Sequence, residues 1–133
     1  EPRTMQLAPA YTDVLSEVRG YLCARADDCL AAGISRERIV VDPGFGFGKT
    51  LVHNLTLLRR LDVLVASGWP VLAGLSRKSM IGAVLDAPVE QRTTGSVAAA
   101  MLAAMAGAVI LRVHDVRETA DALKILAAVT AAA

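Results

Sequence analysis

The chain has 133 residues, of which 54% are hydrophobic, 4% aromatic and 20% charged, and its formal net charge is +1. This length corresponds to one ordinary domain, residues 1–133, and the high apolar content with little net charge excludes intrinsic disorder. The 14 basic and 13 acidic residues are mixed along the chain, so we expect no surface that binds nucleic acid or lipid headgroups through charge.

The first half of the chain predicts two helices separated by a short strand. Residues 11–32 have the apolar spacing of an amphipathic helix, which Gly33 ends. Residues 39–41 form an apolar run without polar alternation, which is typical of a strand covered on both faces. Residues 51–65 then predict a second helix whose face, apolar except at Asp62, is formed by Leu51, Leu55, Leu58 and Val65.

The second half continues the alternation. Residues 71–73 predict a strand, followed by the polar segment 76–79 and a short apolar turn. An alanine-rich helix is expected over about 95–106, and a third strand over 108–111. The uncharged stretch that contains both is mostly alanine and is divided by Gly107, so we interpret it as helix and buried strand, and expect no membrane span.

The last helix is expected to begin at Asp115. Asp115 and Glu118 have the acceptor-then-Glu spacing of a capping box, and Ala120, Leu123 and Leu126 form the apolar face behind it. The two cysteines, Cys23 and Cys29, lie on the first helix, and we expect both to be reduced, as in a cytoplasmic protein.

The three strands begin about 32 and 37 residues apart, which suits parallel strands joined by crossover helices. Right-handed crossovers place the helices on one side of the sheet and leave the other apolar face bare. Two arrangements resolve this: the strand order reverses in an open α/β sandwich, or the strands are the last three units of a (β/α)₈ barrel whose first half is absent. The second arrangement also explains why the chain begins at Glu1 without an initiator methionine, as we expect of part of a longer protein.

Polar residues follow each predicted strand, where the carboxyl ends of parallel strands form ligand sites. An acid follows the first strand, a hydroxyl and two cations follow the second, and a guanidinium with an imidazole follows the third. The residues are Asp42, Ser76, Arg77, Lys78, Arg112 and His114. This set favours a substrate that donates hydrogen bonds at one edge and carries negative charge at the other end.

The glycine-rich segment 44–49 does not match a nucleotide-binding loop. The phosphate-binding loop needs glycine where Pro43 stands, and the third glycine of a dinucleotide fingerprint would fall on Lys49. We interpret the segment as a flexible backbone that lets Phe45 or Phe47 lie over a flat ligand.

Several motifs together closely resemble the dihydropteroate synthase family. Residues 42–49 with 53–55 resemble its sixth-strand signature, and residues 74–82 its seventh-strand motif. Residues 92–96 and 112–116 complete the set, and residues 1–6 resemble the loop after strand five. The resemblance implies an α/β chain, the carboxy-terminal part of a (β/α)₈ barrel with its last three strands and their helices.

The resemblance implies a transferase of folate biosynthesis. Such an enzyme joins 6-hydroxymethyl-7,8-dihydropterin pyrophosphate to p-aminobenzoate, giving 7,8-dihydropteroate and pyrophosphate, and sulfonamides compete for the aminobenzoate site. It implies a cytoplasmic homodimer formed through carboxy-terminal helices, with neither nucleic acid nor membrane as partner. Mg²⁺ is implied as cofactor, with its ligand in the missing amino-terminal part and none in this chain.

The family also implies a role for each site residue. Asp42 holds the amino-pyrimidine edge of the pterin, Lys78 donates to the pterin carbonyl and ring nitrogen, and Phe47 borders the ring, with Gly74 beside the substrate. Arg112 and His114 take the leaving pyrophosphate, and together with Lys78 they form the catalytic set. Ser76 contacts the aminobenzoate carboxylate.

The main departure from the family is the absence of strands one to five, so the isolated chain is expected to be inactive and poorly folded. Two alternatives remain. One is a pterin-dependent methyltransferase of the same barrel family, against which the Ser76, Arg77 and Lys78 segment argues. The other is a non-catalytic half-barrel subunit, against which the intact polar residues argue.

Overall fold

A computed structural model describes residues 11–132 of the chain. The helices of this part are α1 (Val14–Ala31), α2 (Leu51–Arg59), α3 (Leu61–Val65), α4 (Ser79–Leu85), α5 (Thr93–Met105) and α6 (Val116–Ala131). The two strands are β1 (Leu72–Ala73) and β2 (Ile110–Leu111), and short 3₁₀ turns cover Arg36–Arg38 and Val89–Gln91. Residues 1–6, which resemble the family's loop after strand five, lie outside the described residues.

The three predicted strands meet in one parallel arrangement. Leu72 of β1 lies opposite Ile110 of β2, and Val41 forms a parallel bridge with Val71 on the other side of β1. The spatial order of the three segments therefore follows their order in the chain. This order does not fit the open sandwich with reversed strand order, and it is typical of consecutive units in a barrel.

The first strand is shorter than the predicted run 39–41, because only Val41 pairs. The Val41 N–H donates to the carbonyl of Pro70, and the Leu72 N–H donates to the carbonyl of Val41, both at 2.9 Å. In a parallel ladder the adjacent rungs would need N–H donors from Pro70 and Pro43, and proline has none. The two prolines therefore limit this pairing to a single bridge.

The two faces of the small sheet differ in their cover. Val41, Val71 and Ala73 face the helices and are 5%, 1% and 2% exposed. On the opposite face Val40 and Ile110 remain 43% and 41% exposed. The prediction that an apolar face would stay bare in this chain is therefore correct for the described residues.

The predicted helix over 51–65 is two helices, since the backbone at Arg60 leaves the helical region with φ −114° and ψ 29°. The predicted apolar face is correct at Leu58 and Val65, which pack in or against the core, and wrong at Leu51 and Leu55, which are exposed. The buried face of α2 and α3 is formed by Asn54, Leu57, Leu58, Leu61 and Leu64.

After the polar segment 76–79 the sequence predicted a short apolar turn, but the structure has a helix there. Helix α4 forms there because Met80 and Ile81 are buried in the core, and it ends at Asp86, whose φ is +49°. The alanine-rich helix also begins earlier than predicted, at Thr93 instead of Gly95.

The predicted capping box at Asp115 is wrong. Helix α6 does begin at the next residue, but the Asp115 side chain makes no capping hydrogen bond. Its carboxylate accepts two hydrogen bonds from the guanidinium of Arg77. Two charge-assisted bonds are stronger than one bond to a backbone N–H, so the tertiary contact replaces the local one.

The uncharged stretch forms α5 and β2, with Gly107 between them at φ +100°. Within residues 11–132, none of the helices combines the length and the apolar character that crossing a membrane requires. Cys23 and Cys29 are both free thiols, as predicted.

Candidate functional site

The carboxyl ends of the parallel segments open into a cleft of about 300 Å³. Its lining residues are Phe47, Gly74, Ser76, Lys78, Arg112, Val113 and His114. All of these except Val113 were predicted as site residues from the sequence. The fold therefore brings residues from all three strand ends to one place.

Asp42, the remaining predicted residue, joins the cleft through Arg112. The guanidinium Nη2 of Arg112 lies 3.3 Å from Asp42 Oδ2. To make this contact, the Arg112 side chain crosses the middle strand above Gly74, where an added Cβ would lie 2.6 Å from that Nη2. Glycine at position 74 is thus what lets the first and third strand ends meet.

Ser76 and His114 form a second link between strand ends. The His114 N–H donates to Ser76 Oγ at 3.2 Å, and the His114 ring Nδ1 lies 2.9 Å from the same oxygen. Ser76 is buried, while His114 is exposed on its other side. The hydroxyl therefore fixes the orientation of the imidazole in the cleft.

The glycine-rich loop is held by side chains on several sides. Gly44 and Gly46 have φ of +68° and +79°, values that favour glycine. The Gly44 N–H donates to Asp42 Oδ1, and the Gly46 N–H donates to Asn54 Oδ1, each at 2.8 Å. Lys49 Nζ donates to the carbonyls of Gly44 and Phe47, each at 3.1 Å. These bonds fix the loop in one conformation.

The two phenylalanines of this loop have different environments. Phe45 is fully buried in the core, whereas Phe47 is 50% exposed at the cleft. The Lys78 ammonium lies 4.5 Å from the centre of the Phe47 ring and donates to the carbonyl of Phe45. Of the two candidates, Phe47 is therefore the one that can lie against a flat ligand.

The cations of the site crowd one another. Burial lowers the pKa of the Lys78 ammonium, the Asp42 carboxylate opposes this shift, and the charges of Arg112 and Lys49 add to it. Burial also lowers the pKa of Lys49, again opposed by Asp42. The cleft is therefore a region of positive potential that favours an anionic ligand.

Sequence reasoning missed Lys49 and Asn54 as residues that support the site. Asn54 is 3% exposed on α2, where its amide also donates to the carbonyl of Thr50 at 2.8 Å. A polar residue among the buried leucines of a helix was the available signal, since buried amides need partners. Lys49 had no signal other than its position after three glycines.

The residues of the cleft do not suit a magnesium ion. Mg²⁺ prefers carboxylate and other oxygen ligands in octahedral geometry. The part of the cleft lining that the structure describes includes no carboxylate, and Asp42 beside it is already paired with Arg112. Within residues 11–132 no group of three or more His, Cys, Asp or Glu side chains could hold a metal ion.

Comparison with known proteins gives a consistent result. The family model described as "Pterin binding enzyme" matches residues 1–114. The dihydropteroate synthase of Haemophilus influenzae is 55% identical over 125 residues, which are 94% of this chain and 46% of that protein. The chain thus spans about half the length of the curated relatives it matches.

Solved structures agree with the sequence matches. The dihydropteroate synthase of Stenotrophomonas maltophilia, with imidazole in its active site, has a TM-score of 0.96 and 46% identity, over 100% of this chain and 51% of that one. The Xanthomonas albilineans enzyme in complex with 7,8-dihydropteroate has a TM-score of 0.92 and 50% identity, over 94% of this chain and 49% of that one. It has also been solved with 4-aminobenzoic acid. These matches confirm the predicted fold, the last part of a (β/α)₈ barrel.

We predict that two substitutions move the pKa of Lys78 in opposite directions. Asp42→Asn removes the carboxylate that stabilises the ammonium, so the pKa should fall further. Arg112→Ala removes a repelling charge, so the pKa should rise toward its ordinary value. The measurement is a pH titration of ¹³C-labelled lysine side chains by NMR, on a complete barrel in which this chain forms the carboxy-terminal half.

Lys124 on α6 is the internal control, because its ammonium is paired with Asp121 on the same helix. Shifts of the Lys78 pKa in the same direction, or no shift in either variant, would contradict the electrostatic assignment.

Folding lowers the pKa of Lys78, so the unfolded chain binds more protons than the folded chain between the lowered pKa and about 10.4. The free energy of unfolding should therefore rise with pH in that window.

Proposed function

The chain belongs to the pterin-binding enzyme family, and on that basis we propose that it forms the carboxy-terminal half of a dihydropteroate synthase active site. The reaction joins 6-hydroxymethyl-7,8-dihydropterin pyrophosphate to p-aminobenzoate and releases pyrophosphate. One observation carries the proposal: an ammonium, a guanidinium and an imidazole from two strand ends line one cleft, and the Asp42 carboxylate at the end of the first strand is paired with that guanidinium. Relatives that include a complex with 7,8-dihydropteroate support it.

Asp42 is proposed to bind the amino-pyrimidine edge of the pterin. An ionised carboxylate can accept two parallel N–H bonds from such an edge. In the free cleft its Oδ2 faces Arg112 at 3.3 Å, and its Oδ1 accepts the Gly44 N–H. The pterin edge would take the place of the guanidinium, while the bond to Gly44 keeps the carboxylate in position.

Lys78 and Phe47 are proposed to hold the rest of the pterin ring. Lys78 Nζ donates one N–H to the carbonyl of Phe45. Its other two N–H groups are available to donate to the pterin carbonyl and ring nitrogen. Phe47 presents its ring beside that ammonium and would cover one face of the ligand. Gly74 has no side chain at the floor of the cleft, where the Arg112 guanidinium lies in the free cleft.

Arg112 and His114 are proposed to stabilise the leaving group. The bond between the pterin methylene carbon and the pyrophosphate oxygen breaks, and its electron pair leaves with pyrophosphate. The aminobenzoate nitrogen then forms the C–N bond and loses a proton to solvent. Fixed positive groups that face the departing oxygen lower the barrier, because the charge there grows in the transition state.

Ser76 is proposed to contact the aminobenzoate carboxylate while it orients His114. Both tasks are compatible only when the ring Nδ1 of His114 carries its proton. Nδ1–H then donates to Ser76 Oγ at 2.9 Å, and the hydroxyl proton is free for a carboxylate. With Nδ1 unprotonated, the hydroxyl donates to the ring and is not available to the substrate.

The two other functions considered from the sequence are less well supported. Both the relative and the solved structures described above are dihydropteroate synthases, which favours the synthase over a methyltransferase. A non-catalytic half-barrel has no physical need for three cations around one carboxylate, because such a cluster costs stability. The mutual contacts of these groups therefore favour a catalytic role.

We further propose that the chain needs the amino-terminal half of a barrel. Residues 11–132 supply one wall of the cleft, and the face of the small parallel sheet that carries Val40 and Ile110 is exposed. We therefore expect the isolated chain to be inactive and poorly folded. The Mg²⁺ ligands implied by the family belong to that other half. The free cysteines fit a cytoplasmic location.

A second copy of the chain is the partner that we propose for the carboxy-terminal helices. Leu102 and Met105 on α5 are 56% and 69% exposed, and Ile125 and Val129 on α6 are 68% and 69% exposed. Large apolar side chains exposed on adjacent helices are typical of an interface.

Activity is to be measured on a complete barrel. In it, the chain replaces the part of the Haemophilus influenzae relative that it matches. We expect this barrel to form 7,8-dihydropteroate, whereas the isolated chain forms none. In the barrel, Arg112→Ala should lower kcat more than tenfold with little change in the KM of aminobenzoate, because the lost charge acts on the leaving group.

Arg117→Ala, which removes an exposed cation of α6, is the matched control and should leave kcat unchanged. Loss of aminobenzoate affinity alone in Arg112→Ala would show that its role is misassigned. A folded barrel that makes no product would contradict the proposed function itself.

For the pterin site, Asp42→Ala should weaken binding of 6-hydroxymethylpterin by several kcal/mol. It removes about two charge-assisted hydrogen bonds, each worth roughly 1.5–3 kcal/mol. Isothermal titration calorimetry of the complete barrel measures this affinity. Asp27→Ala, an exposed carboxylate of α1, is the control. Equal affinity in the two variants would refute the assignment.

For the dimer, Leu102→Glu should shift the complete barrel from dimer to monomer in analytical ultracentrifugation, because it buries a charge in an apolar interface. Tyr21→Glu on α1, where the side chain is 65% exposed, is the matched control and should leave the dimer intact. A dimer that survives the α5 substitution, or a complete barrel that is a monomer before any substitution, would contradict this interface.

A further inference from the structure

Two loops of the cleft are tied together by side chains that do not line it. Arg77, in the loop after β1, donates from Nε and Nη2 to the two carboxylate oxygens of Asp115, at 3.2 and 2.6 Å. Asp115 follows His114 in the loop after β2, and its side chain is 12% exposed. The Arg77 side chain is 38% exposed, so one side of the pair faces solvent, but the bidentate geometry still fixes the two partners relative to each other.

The backbone of Arg77 is held in an unusual conformation. Its φ is +59°, a region that non-glycine residues rarely adopt. Its N–H donates to Ser96 Oγ at 2.9 Å, and its carbonyl accepts from Arg92 Nη1 at 3.0 Å. Gly82 makes room for Arg92, because a Cβ there would overlap the guanidinium. A residue keeps such a conformation only where the surrounding contacts hold its backbone in place. Residues in such conformations often lie at functional sites.

The neighbours of this pair are the residues that face the substrate. Ser76 and Lys78 flank Arg77 and line the cleft, as do Arg112 and His114, which come just before Asp115. The Arg77–Asp115 pair therefore spans the two groups that hold different parts of the substrate: Lys78 on the ring side, and Arg112 with His114 on the pyrophosphate side.

On the proposed function, we infer that Arg77 and Asp115 are positioning residues that set the distance between Lys78 and the Arg112–His114 group. Arg92 and Ser96 support them by holding the backbone of Arg77. The pair does not touch the substrate. It makes the ring and pyrophosphate contacts available at the same time, so a ligand that carries both parts gains from both.

The test compares three ligands on the complete barrel: 6-hydroxymethylpterin, inorganic pyrophosphate, and 6-hydroxymethylpterin pyrophosphate. In Asp115→Asn, the linked ligand should bind more than tenfold more weakly, whereas each separate part should bind within about threefold of its original affinity. Arg77→Gln should have the same effect. The double variant should lose no more than either single variant, because all three lack the same contact.

Asp121→Asn, which breaks the exposed pair with Lys124 on α6, is the matched control and should change none of the three affinities. Equal affinity for the linked ligand in Asp115→Asn would overturn the inference. An equal fall for all three ligands, or loss of the folded state, would also overturn it, since the pair would then support the fold in general. If the unsubstituted barrel binds none of the three ligands, the proposed function fails instead.

Discussion

The register of the parallel pairing determines which side chains can meet. Val41 lies beside Val71, and Leu72 lies beside Ile110, so the alternation of side chains places Asp42, Gly74 and Arg112 on the same face of the sheet. A shift of one residue would turn the carboxylate and the guanidinium toward the helices, where burial of charge is costly. The buried side chains on the opposite face therefore fix the register, and the register builds the site.

The same strand ends concentrate positive charge, and the fold offsets it with backbone carbonyls. Lys78 donates to the carbonyl of Phe45, and Lys49 donates to those of Gly44 and Phe47. The positive φ values of the loop glycines turn these carbonyls toward the ammonium groups. The loop thus supports the cations as well as the ligand, and its glycines are needed for that geometry and not for flexibility.

The sequence predicts the parts of this structure that depend on local pattern, and fails where distant residues compete. Polar residues after apolar strands were enough to place Lys78, Arg112 and His114 at one cleft. The capping box at Asp115 failed because Arg77, 38 residues away, offers a stronger partner. The strand over 39–41 was too long because its limit depends on Pro70, whose effect is visible only once the register is known.

The ion pair between Asp42 and Arg112 links the two ends of the proposed substrate. In the free cleft each group neutralises the other at 3.3 Å, so a pterin without pyrophosphate must displace the guanidinium and leave it without a counter-charge. A pterin that carries pyrophosphate replaces both partners at once, giving Asp42 two N–H donors and Arg112 an anion. On the proposed function, we therefore expect the free cleft to favour the pterin that carries pyrophosphate, because that ligand restores charge balance at both residues.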